Sequence, residues 1–262
     1  MQMCDIGGLR LNYRIDGPED GAPVVFANSL GTDLRLWDDV VARMPDGLRM
    51  LRYDKRGHGL SDCPPPPYSM GTLVTDAEKL MDALGFREAI FVGLSIGGMI
   101  AQGLAAKRMD LVRAMVLSNT AAKIGTRDMW EDRVAQIEEG GIAAISAGTM
   151  ERWFAKPFYQ TSGFPAWQHM LERTPQPGYI GCCQAIAGSD FMTPTSGLRL
   201  PVLGIAGSED GSTPPDLVRE TVDLVPGSRL EIIRGTGHLP CVEKPDEYAA
   251  LLTEFFRAQG AI

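Results

Sequence analysis

Residues 89–107 read A-I-F-V-G-L-S-I-G-G-M-I-A-Q-G-L-A-A-K. Ala89 to Leu94 form a short apolar run rich in β-branched and aromatic residues, as in a strand buried on both faces. Ile96 to Lys107 carry helix-forming residues without proline. Between the two, Gly93, Ser95 and Gly97 spell G-x-S-x-G, a strand-to-helix turn so sharp that the flanking positions must nearly lack side chains. Such a turn pushes the Ser95 hydroxyl out of a sheet edge and leaves the Ile96 N–H at a helix start, where partial positive charge can meet an oxyanion. Positions 89–106 are eighteen uncharged residues, a marginal length for a membrane span, but four glycines, Ser95 and Gln102 fit a turn better.

The chain around this stretch is long enough, at 262 residues, for one large domain or a core with an insertion. Hydrophobic residues at 44% and charged residues at 22% exclude a disordered chain. A formal net charge of −8 disfavours nucleic acid and anionic lipid as partners, so an anionic substrate has to be met by local cations. The five cysteines are odd in number, include the vicinal pair Cys182 and Cys183 and contain no C-x-x-C, which suggests neither a disulfide framework nor a thiolate zinc site. With no apolar leader in M-Q-M-C-D-I-G-G-L-R, a cytoplasmic location is expected. His58, His169 and His238 lie far apart in no ligand spacing, so no metal and no cofactor are expected.

Working outward, Leu9 to Ile15 alternate as a half-exposed antiparallel strand, and Val24 to Ala27 form a short buried one. The latter runs into Asn28, Ser29, Leu30 and Gly31, and the Leu30 N–H is the candidate second oxyanion donor. Arg49 to Tyr53 make another strand, followed by D-K-R-G-H-G-L-S-D, whose Asp54, Arg56 and His58 are expected to tie their own turns together. Ser69 caps a helix to Leu84 that Gly85 ends, and Ala114 to Leu117 form the next strand. From Ala121 to Thr195 there is no buried strand, only short helical patterns. Strand and helix then alternate again: Pro201 to Ala206, Pro215 to Leu224, Arg229 to Ile233 and Pro245 to Arg257. This predicts an α/β fold, a mostly parallel sheet with helices on both faces. Residues 1–120 and 196–262 would form its core and 121–195 an inserted helical cap.

G-S-E-D-G-S-T-P-P follows the strand ending at Ala206, and G-T-G-H-L-P follows the strand ending at Ile233. Asp210 and His238 are thus expected at the same sheet edge as Ser95, in the chain order Ser, Asp, His. His238 can take the Ser95 proton and return it to a leaving oxygen, while Asp210 orients the imidazole. Glu209 is the rival acid, less well placed before the Thr213-Pro214 turn.

With these residues in view, the chain resembles the α/β-hydrolase superfamily. N-S-L-G-T-D-L-R-L-W, Y-D-K-R-G-H-G-L-S, G-L-S-I-G-G, A-G-S-E-D and G-T-G-H-L-P-C-V-E-K-P together look like bacterial 3-oxoadipate enol-lactonases of aromatic catabolism, the β-ketoadipate pathway. Asn28-Ser29 stands where the wider superfamily often has His-Gly, which argues against the C–C bond hydrolases. Ser rather than Asp at 95 argues against haloalkane dehalogenases and epoxide hydrolases. The resemblance implies an activated, anionic lactone as substrate. On the expected cap helix around Asp128 to Glu139, Trp130, Arg133, Val134 and Ile137 share one face, so Arg133 is the candidate carboxylate clamp with Trp130 and Trp153 as walls, and Lys156 and Arg173 are rivals. Competing expectations are a broad carboxylesterase or cofactor-free perhydrolase and, from another class, a small-ligand receptor on a hydrolase scaffold.

Overall fold

A computed structural model describes residues 2–262. Eight strands form one sheet: β1 (Gln2–Asp5), β2 (Arg10–Asp16), β3 (Ala22–Ala27), β4 (Leu48–Tyr53), β5 (Ala89–Leu94), β6 (Val112–Ser118), β7 (Val202–Gly207) and β8 (Arg229–Ile233). The helices in chain order are α1 (Asp38–Val41), α2 (Met70–Leu84), α3 (Ile96–Lys107), α4 (Arg127–Gly140), α5 (Ala143–Trp153), α6 (Phe164–Glu172), α7 (Gln176–Ala187), α8 (Met192–Ser196), α9 (Pro215–Val222), α10 (Pro240–Glu243) and α11 (Pro245–Ala258). None of them is long and apolar enough to cross a membrane.

The sheet order is β1-β2-β4-β3-β5-β6-β7-β8. The β1–β2 and β2–β4 pairs are antiparallel, and every pair from β4 through β8 is parallel. A parallel sheet needs crossovers that cover its faces, and its strands are correspondingly apolar: all six residues of β5 and of β7 are buried. Helix α3 packs on β3, β5 and β6 with α2 against it, while α9 packs on β6, β7 and β8. Trp37 joins the remaining layer, its ring 5.0 Å from Phe26 of β3 and 6.1 Å from Tyr248 of α11.

Local chemistry sets the element ends. The Ser69 side chain accepts from the Thr72 N–H at 3.1 Å, and Gly85 ends α2 in the left-handed region at φ 69°, as its position predicts. The expected strands and helices are present with ends moved by one or two residues, except that Leu34–Trp37 winds as a 3₁₀ turn before α1. Strand β1 was not expected. It is a short, mostly exposed edge strand with no apolar alternation, and its pairing to β2 follows a turn in which Asp5 accepts from the Gly7 and Gly8 N–H groups.

Between β6 and β7 the chain forms α4 to α8 and no strand. Helix α4 packs on α5 and α7, and α5 on α6. The segment touches the sheet side through backbone bonds from Gly211 N–H to Arg152 O and from Leu239 N–H to Trp153 O, both 3.3 Å. Because β3 to β8 run parallel, their carboxyl ends lie at one edge. The loops carrying Ser29, Ser95, Asp210 and His238 therefore gather beneath the helical segment.

Candidate active site

Ser95 sits where the last residue of β5 meets the first residue of α3, with φ 58° and ψ −120°. A left-handed serine costs on the order of 1–3 kcal/mol unless its surroundings hold it. They do: Ser95 N–H donates to Ser118 O at 3.0 Å, and Thr120 Oγ1 donates to Ser95 O at 2.6 Å. A Cβ on Gly93 would lie 2.3 Å from Gly97 O, and one on Gly97 would lie 2.2 Å from Ala27 O, which is why the sequence needs glycine on both sides of the turn.

Asp210 and His238 lie in the loops after β7 and β8, and both are buried. His238 Nδ1 is 2.9 Å from Asp210 Oδ2. That oxygen also accepts from Asn119 Nδ2 at 2.9 Å and Thr213 Oγ1 at 2.8 Å, while Oδ1 accepts from the Ser212 and Thr213 N–H groups at 2.7 and 3.0 Å. Burial alone would push the Asp210 carboxyl up, but its pairing with His238 and these hydrogen bonds outweigh it and hold the group below its ordinary range. A carboxylate that only accepts places the imidazole proton on Nδ1 and leaves Nε2 its lone pair. Nε2 lies 3.4 Å from Ser29 Oγ, and Ser29, Ser95 and His238 line one cavity. Glu209 is exposed and has no part in this network.

The loop after β3 is fixed from below. Asn28 Nδ2 donates to Tyr53 O and Asn28 Oδ1 accepts from Trp37 Nε1, both at 2.8 Å. Lys55 Nζ donates to Ser29 O at 2.7 Å, and Gly31 N–H donates to His58 Nε2 at 3.0 Å. His58 Nδ1 therefore carries the proton and faces Arg56 O at 3.3 Å. Burial first, and then the Lys55 charge, keep His58 neutral by pulling its pKa well below the usual value. Among the described residues, the Leu30 and Ile96 N–H groups are spent in no turn, loop or cap hydrogen bond. Asp54, Arg56 and His58 thus brace their own turn and its neighbour, as expected. Asp54 accepts from Asn12 Nδ2 and the Leu34 and Leu60 N–H groups, and Arg56 pairs with Asp76.

Above Ser95 lies a cavity of about 370 Å³, within the range of small-molecule sites. Trp130, Arg133 and Trp153, the candidate clamp and walls, are among its lining residues, and so are Tyr179 and Arg152; Val134 and Ile137 are not. Arg133 Nη2 donates to Thr149 Oγ1 and to Tyr179 OH, each at 2.7 Å. Lys156 and Arg173, the sequence-based rivals, are exposed and outside the lining. Cys182 and Cys183 are buried and also outside it. Another hollow, of about 410 Å³, lies around Arg52, where Asp16 and Asp38 already pair with the guanidinium, and it contains none of the Ser95, Asp210 or His238 set. Ser29 and Thr213 lie in stretches that the sequence already singles out, whereas Asn119 and Arg152 carry no motif and are found only by which elements the fold brings together.

This architecture, with a serine at the strand-to-helix turn and an Asp–His pair from the two following strand ends, defines a class that the comparisons name. Residues 24–251 match the model of the alpha/beta hydrolase family, and the chain belongs to that family. It is 34% identical over 242 residues to 3-oxoadipate enol-lactonase 2 of Acinetobacter baylyi, covering 92% of this chain and 90% of that one. It is 32% identical to 3-oxoadipate enol-lactonase 1 of the same organism, covering 96% and 94%. The crystal structure of the enol-lactonase from Burkholderia xenovorans LB400 superposes with a TM-score of 0.94 at 33% identity, covering 98% of this chain and all of that one.

Proposed function

We propose that the protein hydrolyses 3-oxoadipate enol-lactone to 3-oxoadipate, with Ser95 as nucleophile, His238 as base and acid, and Asp210 as the carboxylate that orients the imidazole. The observation that carries this reading is the combination of an Asp210-oriented His238 and Ser95 on one cavity with an arginine in its roof. Similarity to enol-lactonases at about one third identity supports the substrate. In this reading residues 1–120 and 196–262 form the catalytic core, and 121–195 form a cap that selects the ligand.

Ser95 Oγ, losing its proton to His238 Nε2, attacks the lactone carbonyl carbon. The tetrahedral oxyanion is received by the N–H groups of Leu30 and Ile96, whose worth in such sites is about a hundredfold or more in rate per donor. Collapse breaks the ring C–O bond, His238 returns the proton, and the enol that leaves becomes a ketone. The leaving group is less basic than an alkoxide, so ring opening is undemanding. His238 then takes a proton from water as that water attacks the acyl-Ser95 ester and returns it to Ser95 Oγ as the tetrahedral intermediate collapses, so that 3-oxoadipate departs and the free serine is restored. The Arg133 guanidinium holds the substrate carboxylate throughout.

Turnover of the lactone, read as formation of 3-oxoadipate by mass, tests this. The expected kcat/KM is about 10⁴ M⁻¹s⁻¹ or above, with loss of turnover in Ser95→Ala. Hydrolysis of a neutral nitrophenyl ester without lactone opening would refute the substrate while leaving the nucleophile in place.

A further inference from the structure

The cavity over Ser95 is lined by two guanidiniums and no carboxylate. Arg133 comes from α4 and Arg152 from α5. Elsewhere in the protein, deeply placed arginines face acids: Arg52 pairs with Asp16 and Asp38, and Arg56 with Asp76. Arg49 and Arg113 each reach a backbone carbonyl, at 3.1 and 2.7 Å. Arg133 and Arg152 find only hydroxyls. Thr149 Oγ1 accepts from Arg133 Nη2 at 2.7 Å and from Arg152 Nη2 at 3.4 Å, and gives its own proton to Ile145 O at 2.8 Å. One neutral oxygen therefore joins two like charges. The Nε of Arg133 is buried without any hydrogen-bond partner.

Two half-buried cations side by side are costly, because desolvation and mutual repulsion act in the same direction. Both costs act on Arg152: burial first, and then the Arg133 charge, pull its pKa below the ordinary arginine value. The arrangement is nevertheless held on both sides. The Arg152 carbonyl accepts from Gly211 N–H in the loop that carries Asp210, and Tyr179, stacked on His58 at 6.5 Å, accepts from Arg133. A fixed pair of guanidiniums that no lining acid answers suits a carboxylate, whose two oxygens can take parallel N–H donors.

We propose that Arg133 and Arg152 together form a seat for one carboxylate, remote from the acyl group at Ser95, and that Arg152 makes the cavity selective for lactones and half-esters of short dicarboxylic acids. The inference rests on the hydrolytic reading of Ser95 and extends it to the ligand's chemical class. Hydrolysis at Ser95 generates a carboxylate at one end of the ligand, and the arginine seat requires another at the far end. A two-charge seat also favours the ring-opened dianion over the monoanionic lactone, so the product is expected to compete with the substrate.

Adipate and its uncharged diamide, adipamide, probe the seat by calorimetry without any turnover. The wild type is expected to bind adipate at least about tenfold more tightly than adipamide. Arg152→Gln is expected to weaken adipate about tenfold or more, the usual scale for a hydrogen bond to a charged group, with a smaller change for adipamide. Arg152→Lys should fall between, keeping the charge and losing the planar fork. Phenylglyoxal modification of the unaltered protein gives a reading that needs no variant: adipate, and not adipamide, should slow modification of Arg152 in peptide mapping. Equal affinity of the wild type for both probes, equal losses in Arg152→Gln, or an Arg152 that adipate leaves unprotected would overturn the seat. If adipate binds as expected while the lactone is not opened, the proposed function falls and the seat stands. If the lactone is opened while Arg152→Gln binds adipate as the wild type does, the seat falls alone.

Discussion

The sheet edge and the helical roof treat charge in opposite ways. At the edge, the Asp210 carboxylate is met by His238, Asn119 and Thr213 side chains and two backbone N–H groups, so its charge is answered inside the protein. In the roof, Arg133 and Arg152 face each other across Thr149 with no acid between them. Under the proposed function the difference separates two tasks: a charge that must stay in place through a reaction is satisfied by the fold, whereas a charge proposed to recognise a ligand is left incomplete until the ligand arrives.

The separation breaks most visibly at Asp210. Asp210→Asn should lower kcat by roughly 10³–10⁴, because an amide can present its N–H to His238 Nδ1 and force the wrong tautomer. The loss should be the same for the lactone and a neutral nitrophenyl ester in steady-state assays. A loss confined to the lactone would mean that Asp210 acts on the substrate's charge rather than on His238.

Glu243 tests the joint between the regions. Its carboxylate accepts from Gly237 N–H, next to His238, at 2.6 Å and from Ala155 N–H, just past α5, at 2.9 Å. Burial outweighs these two bonds and raises its pKa from 4.5 to about 7. The folded state therefore holds this proton to higher pH than the unfolded chain, and the group's contribution to stability declines as pH rises from about 4.5 to about 7. Denaturant titrations across that window should show wild type losing stability relative to Glu243→Gln, by roughly 1–2 kcal/mol once the partial solvent screening of this half-buried carboxylate is allowed for. A difference independent of pH would contradict the assignment.

The smallest expected effect lies beneath the loop after β3, the proposed source of one oxyanion donor. His58→Phe keeps a ring against Tyr179 but removes the acceptor of the Gly31 N–H. Its kcat should fall about tenfold, less than loss of a whole oxyanion donor, with KM little changed for either substrate. A change in KM alone would place His58 with the roof rather than with the edge.

The same division governs what could be read from the sequence. Ser95, Asp210 and His238 follow short β-branched strands, and the parallel order of those strands places all three at one edge, so local pattern plus topology was enough. Helix α4 spans Arg127–Gly140 against an expected Asp128 to Glu139, and its 3.6-residue period put Trp130 and Arg133 on the inward face. Arg152 was not legible, because α5 is built of alanine, glycine and hydroxyl residues whose apolar face is poorly marked. The rival cations named from the sequence were Lys156 and Arg173, which lie just beyond α5 and α6 and are exposed. Asn119 was hidden for another reason: its amide meets Asp210 across 91 residues, held by a backbone at φ 44° that no pattern announces. Strand β1 lacks alternation because it is an exposed edge, where no buried face selects apolar residues.

The central claim, that the edge does the chemistry and the roof chooses the ligand, is tested most directly by one ratio. That ratio is kcat/KM for 3-oxoadipate enol-lactone over kcat/KM for a neutral nitrophenyl ester, measured in wild type and in Arg133→Gln. The account predicts that the ratio falls by about tenfold to a hundredfold in the variant, the scale of a lost charge-assisted hydrogen bond, and that most of the change is in the lactone's KM. An unchanged ratio, with both substrates falling together, would contradict it and make Arg133 a structural part of the α4–α7 packing.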